Sequence, residues 1–226
     1  MSLRLRLGHL VFGVGAAIDP YAEAMRTTAE VGTAPHSEAY ATAIAAARRC
    51  FRRFGVDKTT MDDVAKEAGM ARSRLYKTIA TRQEVIEGAV LDRLGEIAAE
   101  IRPLLTRSTN LSDALVTGSL ATTKAARSDP ELTNLIETAG TIRMHTLLTG
   151  SDPLAQDILL VLWRDVFDRA RKAGELRHDA TDAELIEWLS GVQMMLTMRE
   201  DLKPDRERQL LEKFFLPAFI DLKPGA

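Results

Sequence analysis

This sequence predicts an all-α fold, and three observations carry that prediction. Apolar residues recur at three- and four-residue spacing along most of the chain, and no alternating run competes as a strand. Capping residues and Asp-Pro pairs punctuate those stretches. Composition agrees, because only 5% of the 226 residues are aromatic, while Ala and Leu, both good helix formers, are plentiful. With 46% hydrophobic and 27% charged residues, the chain can bury a sizeable core in one or two domains.

The first helix spans about Ser37 to Phe54, with Ile44, Ala47, Phe51 and Phe54 as its apolar stripe. Arg48, Arg49, Arg52 and Arg53 fall on the opposite face, so a basic surface is expected there. Thr60 then offers an N-cap, and Asp62 and Asp63 place negative charge in a first turn, where the helix dipole favours it. Val64, Ala65 and Ala68 face inward at helical spacing. Gly69 suits a left-handed C-terminal cap. Helix resumes almost at once, with Leu75 inward and Arg72, Ser73, Arg74 and Lys77 outward. Two short helices about a tight turn form a helix-turn-helix at about 60–79, and its second helix suits the DNA major groove.

Charge is distributed to match. Residues 48 to 82 hold ten basic and four acidic side chains, a net of +6 within a chain of net −2. A basic patch on an otherwise acidic molecule is the footprint of a localised nucleic-acid site.

The run from Tyr40 to Val90 also resembles the N-terminal domain of the TetR family of bacterial transcriptional repressors. The matching features are Phe51-x-x-Phe54-Gly55, Thr59-Thr60, Asp63-Val64-Ala65-x-x-Ala68-Gly69, Leu75-Tyr76 and Thr81-Arg82-Gln83-Glu84-Val85. The resemblance implies that Thr60 and Tyr76 hold backbone phosphates and that residues near Arg72 to Arg74 read bases. The candidate DNA contacts are Lys58, Thr59, Thr60, Arg72, Ser73, Arg74, Tyr76, Lys77 and Arg82. Two departures stand out. Ala71 replaces the usual cap of the recognition helix, which costs about 0.5–2 kcal/mol. Ile79 stands where an aromatic usually packs.

Beyond this unit, expected at 37–84, the rest (85–226) reads as a helical effector-binding and dimerisation domain. One long helix opens at Thr81-x-x-Glu84 and should stop at Pro103. The next covers about Leu111 to Arg127. Asp129-Pro130 starts a helix to about Leu148, and Asp152-Pro153 starts one that Gly174 ends. Thr181-x-x-Glu184 opens a helix of about 182–199. A last helix is expected over about Asp205 to Leu222, with Leu211, Phe214, Phe215 and Phe219 on one face.

The resemblance implies dimerisation through the last two helices, where Trp188, Val192, Met195, Leu196, Leu210, Phe214 and Phe215 supply the apolar surface. A dimer would set two recognition helices about 34 Å apart, on successive major grooves of a palindrome. Arg143, Met144, His145, Trp163, Phe167, Met194 and Met195 are the candidates to line an effector pocket, with ordinary packing the more common role for each such residue. The effector is expected to be a small apolar or amphipathic molecule of unknown identity.

Enzyme signatures are missing. There is no Gly-x-Ser-x-Gly, no His-Glu-x-x-His and no phosphate loop. The four histidines show no zinc spacing, and no cofactor or metal is expected. Cys50 is the only cysteine, which fits a reducing cytoplasm and a packing role. The first 36 residues read as an extension, either a disordered arm or the result of an upstream start, with Met25 as the native beginning. Their apolar run, Leu10 to Ile18, is too short to span a membrane. The sequence thus points to a cytoplasmic, homodimeric repressor that acts on a double-stranded DNA operator. The alternative is a TetR-like helical protein without DNA binding, acting as an interaction or ligand-binding module.

Overall fold

A computed structural model describes residues 38–139, 152–199 and 201–220. Nine α-helices are placed among them: α1 Glu38–Phe54, α2 Met61–Glu67, α3 Arg72–Thr78, α4 Arg82–Arg107, α5 Leu111–Ser128, α6 Pro130–Ala139, α7 Pro153–Ala173, α8 Asp182–Thr197 and α9 Pro204–Leu210. The described backbone is all-α, apart from a single antiparallel bridge between Leu176 and Ile220. The N-terminal extension and the expected continuation of α6 to Leu148 lie outside the described residues.

Helix α4 organises the molecule, packing against α1 at its start and against α5, α6 and α7 further along. Helix α8 packs on α5 and α7. One continuous apolar core runs from Tyr40 and Ile44 through Ile86 and Leu115 to Trp163 and Phe219. The caps form as the sequence suggests. Thr81 accepts from the Glu84 amide, Thr181 and Glu184 make a reciprocal capping box, and Asp152 caps α7 ahead of Pro153.

Two elements depart from expectation. Pro103 does not stop α4, which continues to Arg107. An interior proline costs about 3 kcal/mol, and tertiary anchoring offsets it here. Leu105 is buried in the core, and Arg169 donates to its carbonyl at 3.0 Å. The C-terminal segment is not one long α-helix either. After Leu210 it widens into a π turn over Leu211–Phe215 and then tightens into a 3₁₀ turn over Leu216–Ala218. Pro217 lacks the amide that an α-helix needs at this point. The wider turn lets Leu211, Phe215 and Phe219 all point inward, with the two rings 4.7 Å apart. Phe214, expected on the same face, points outward and is 63% exposed.

Candidate nucleic-acid interface and ligand cavity

Helices α2 and α3 form the expected helix-turn-helix. The Thr60 hydroxyl accepts from the Asp63 amide, and an Asp63 carboxylate oxygen accepts from the Thr60 amide, a capping box that fixes where α2 begins. The Thr60 hydrogen bonds hold the Asp63 carboxyl below its ordinary value. At the other end Gly69 takes a φ of 64°, in the left-handed region where a side chain is strained. The Met70 amide returns to the Ala65 carbonyl at 2.9 Å, closing the turn. Helix α3 then starts from Ala71 with no side-chain cap. It is anchored instead by Leu75 and, just after its end, by Ile79, both fully buried.

That anchoring leaves Arg72, Ser73, Arg74, Tyr76 and Lys77 exposed along one side of α3. The side chains of Arg74, Lys77 and Lys58 make no hydrogen bond or ion pair among the described residues. Arg72 is differently placed. Its guanidinium reaches Asp62 at 3.1 Å across the turn and lies over the Tyr76 ring, 5.6 Å from the centroid. Both contacts are solvent-exposed and weak, so they hold Arg72 in a preset position without locking it.

Two candidate DNA contacts are spent elsewhere. Thr59 is buried and donates its hydroxyl to the Gly55 carbonyl at 2.8 Å. Arg82 turns back into the same loop, where it donates to the Val56 carbonyl at 2.6 Å and the Thr59 carbonyl at 3.5 Å. Both shape the loop that leads into α2. These bonds follow from the sharp return of the chain after α1, which leaves carbonyls without helical partners; Thr59 is buried by it, while Arg82 stays half-buried.

The basic face expected on α1 is largely neutralised within the molecule. Arg48 is only 5% exposed and is gripped by three carboxylates: Asp92 at 2.5 Å and Glu96 at 2.7 Å from α4, and Glu131 at 2.8 Å from α6. Arg49 pairs with Glu67, Arg52 reaches Glu131, and Arg53 lies over the Phe54 ring. Arg93 extends the cluster to Asp129 and Glu96. Hydrogen bonds from Arg48 hold the Glu96 carboxyl below the ordinary carboxylate range, outweighing the desolvation that would raise it. Phe54, counted in the apolar stripe, is 44% exposed at the last residue of the helix. Cys50 is buried, and desolvation raises its thiol, which favours the unreactive protonated form.

A second feature lies beyond the DNA-binding unit. Helices α4 to α8 surround a cavity of about 120 Å³. Leu94, Ile97 and Ile101 wall one side, Leu132 and Ile136 of α6 another, and Ile158 and Leu162 of α7 a third. Helices α5 and α8 add Thr122, Ser190, Gln193, Met194 and Thr197. Of the residues expected to line a pocket, Met194 does so. Trp163 and Phe167 instead belong to the core at 1% exposure each, with their rings 5.9 Å apart. Met195 points out of α8 and is 57% exposed. Arg143, Met144 and His145 lie outside the described residues. The sequence signal that would have found this cavity is the cluster of small and hydroxyl residues on the inner faces of α5 and α8, which leave space that larger side chains would fill.

The expected dimer surface is similarly divided. Leu196 and Phe215 are buried within the protomer, at 1% and 2% exposure, and Val192 and Leu210 are partly buried. Trp188 and Met195 are seven residues apart on the same side of α8, and both are more than half exposed. Met198, which the sequence reading did not single out, is exposed just beyond them, and Phe214 adds a further apolar side chain. Among the described residues no helix is long and apolar enough to cross a membrane, and none of their His, Cys, Asp and Glu side chains cluster to hold a metal ion.

Residues 43–87 match the family model of the bacterial regulatory proteins of the tetR family. Among curated proteins, none matches the sequence. Solved structures do. The TetR family repressor AlkX from Dietzia, implicated in biodegradation of n-alkanes, aligns with a TM-score of 0.56 at 20% identity, over 82% of this chain and 97% of its own. A putative TetR-family regulator from Mesorhizobium loti aligns at 0.49 and 14% identity, over 81% and 99%. A TetR-family regulator from Haemophilus influenzae aligns at 0.48 and 15%, over 80% and 95%. At 20% identity the likeness to AlkX is one of fold.

Proposed function

We propose that this chain, whose residues 43–87 match the model of the tetR family of bacterial regulatory proteins, is a transcriptional repressor that holds a palindromic operator as a homodimer and leaves it when a small ligand fills the α4–α8 cavity. The observation that carries the reading is the exposed row of Arg72, Ser73, Arg74, Tyr76 and Lys77 on a helix fixed from behind by Leu75 and Ile79. A rigid, exposed, basic helix after a tight turn is what major-groove reading needs.

The residues divide by role. Arg74 is free to form a bidentate contact with a guanine edge, and Arg72 can do so once it leaves Asp62. Thr60, Tyr76, Lys58 and Lys77 are exposed around them and are assigned to backbone phosphates. Removing a bidentate base contact through Arg74→Ala should cost about 1–3 kcal/mol at one base position. Lys58→Ala or Lys77→Ala should weaken binding to every sequence alike and reduce the salt slope by about one. Selection from a random duplex library, followed by binding titrations at several salt concentrations, measures both effects. Unchanged affinity in all these variants would remove α3 from the interface and favour the alternative of a helical module without DNA binding.

Dimerisation is supported by the uncovered apolar side chains of Trp188, Met195 and Phe214. Water in contact with so much apolar surface favours its burial in a partner copy. Trp188→Glu combined with Met195→Glu is expected to yield a folded monomer in analytical ultracentrifugation, with operator affinity sharply reduced. A dimer that survives both changes places the interface elsewhere.

Release is supported by the connection between cavity and DNA-binding unit. In α6, Glu131 grips Arg48 of α1 while the next residue, Leu132, walls the cavity. In α4, Asp92 and Glu96 grip the same arginine, and Leu94 and Ile97 face the cavity. A ligand that separates α4 from α6 must therefore pull on the helix against which α2 and α3 pack.

A further inference from the structure

We infer that the α4–α8 cavity selects a neutral, compact apolar molecule that carries one O–H or N–H donor, such as an alcohol or a phenol, over the corresponding carboxylate. This rests on reading the cavity as the effector site. Its size sets the first limit, because 120 Å³ is comparable to an engineered apolar cavity of about 150 Å³ that holds benzene.

The polar groups of the wall set the second. Among the described lining residues none is charged. Three hydroxyl-bearing residues line the space, and each already donates its hydroxyl proton to its own helix. Thr122 donates to the Gly118 carbonyl at 2.9 Å, Ser190 to Ile186 at 2.7 Å, and Thr197 to Gln193 at 2.8 Å. A hydroxyl has one proton and two lone pairs, so these three oxygens meet a ligand as acceptors. Gln193 is the remaining polar residue, and its amide nitrogen already donates to Ser119 at 3.3 Å. The wall therefore offers several acceptors and, from the second Gln193 N–H, a single donor.

A ligand O–H or N–H finds partners in such a wall. A carboxylate loses its water and meets lone pairs. Burying an ionised group without a cation or several donors is strongly unfavourable, so the anion is excluded or enters only in its protonated form.

Four probes of matched size separate these features: toluene, benzaldehyde, benzyl alcohol and benzoate. Binding to the full chain at neutral pH is measured by calorimetry and by ligand-induced thermal shift. Benzyl alcohol should bind tightest, about fivefold or more tighter than benzaldehyde for the one well-made hydrogen bond, and benzoate should not bind. Thr122→Val, Ser190→Ala and Thr197→Val together should remove most of the advantage of benzyl alcohol over toluene while leaving toluene binding intact. Benzoate binding at neutral pH as tightly as the alcohol overturns the inference and leaves the cavity as a ligand site. An alcohol preference undiminished by the triple substitution also overturns it. If none of the four probes binds to the folded protein, the cavity itself is not a ligand site, and both readings fall.

Discussion

Arg48→Met is expected to destabilise the protein by about 3–5 kcal/mol, the cost of removing one partner from a buried ion pair. The side chain is 6% exposed and faces Asp92, Glu96 and Glu131 at 2.5–2.8 Å. Met fills much of its volume but leaves three carboxylates facing one another without the buried cation that joins them, and only Arg52 and Arg93 remain at the edges of the cluster. Part of this cost is softened because Glu96 is 46% exposed and can turn to solvent.

The variant should also change the acid response. Hydrogen bonding to Arg48 depresses the folded-state value of Glu96. A depressed carboxylate contributes stability that is present above its unfolded value and disappears as pH falls through its folded one. Without Arg48 the largest part of this contribution is lost, leaving only that of Arg93, and protonation relieves repulsion within the cluster. The stability gap between the two proteins should therefore narrow as pH falls from neutrality into the range of ordinary carboxylates, about 4. Urea melts at both ends of this range measure it. A gap that stays constant, or no gap at all, would show that the cluster does not hold α1 to α4 and α6.

Trp163→Ala should cost a similar amount, about 3–5 kcal/mol, for a different reason. Trp163 is 1% exposed and stacks on Phe167. Its ring edge occupies space that Gly118 leaves open. A Cβ added at Gly118 would stand 2.9 Å from the Trp163 ring and 2.7 Å from Leu105, so glycine permits the close approach of α5 to the ring. The truncated side chain leaves a void lined by atoms of α4, α5 and α7 that cannot all collapse. For a chain of this size the melting temperature should fall by about 10 °C. Loss of only 1–2 °C would mean that α5 and α7 close over the gap.

Much of this molecule was legible in the sequence because its signals are local. Thr60, Gly69, Thr81, Asp152, Gly174 and Thr181 mark helix ends through bonds to residues three to five positions away, and all six are where the structure begins or ends helices. The inward placement of Leu75 and the outward placement of Arg72, Arg74 and Lys77 follow from helical periodicity alone. The all-α class and the helix-turn-helix were therefore available before any coordinates.

What the sequence could not decide depends on partners distant in the chain. Arg48 and Arg52 are one helical turn apart and look equivalent, yet one is buried among carboxylates 44 to 83 residues away and the other is exposed. Thr59 and Thr60 are adjacent and alike, but the return of the loop after α1 buries the first and leaves the second at the surface. Pro103 reads as a stop, and the burial of Leu105 overrides it. Trp163 and Phe167 read as pocket residues, and the space left by Gly118 draws the Trp163 ring into the core. Local chemistry determined where helices form and which way they face. Only the tertiary structure decided which charges meet, which side chains fill the space between helices and where a cavity remains, because these depend on volume and charge contributed by segments that the chain brings together only when it folds.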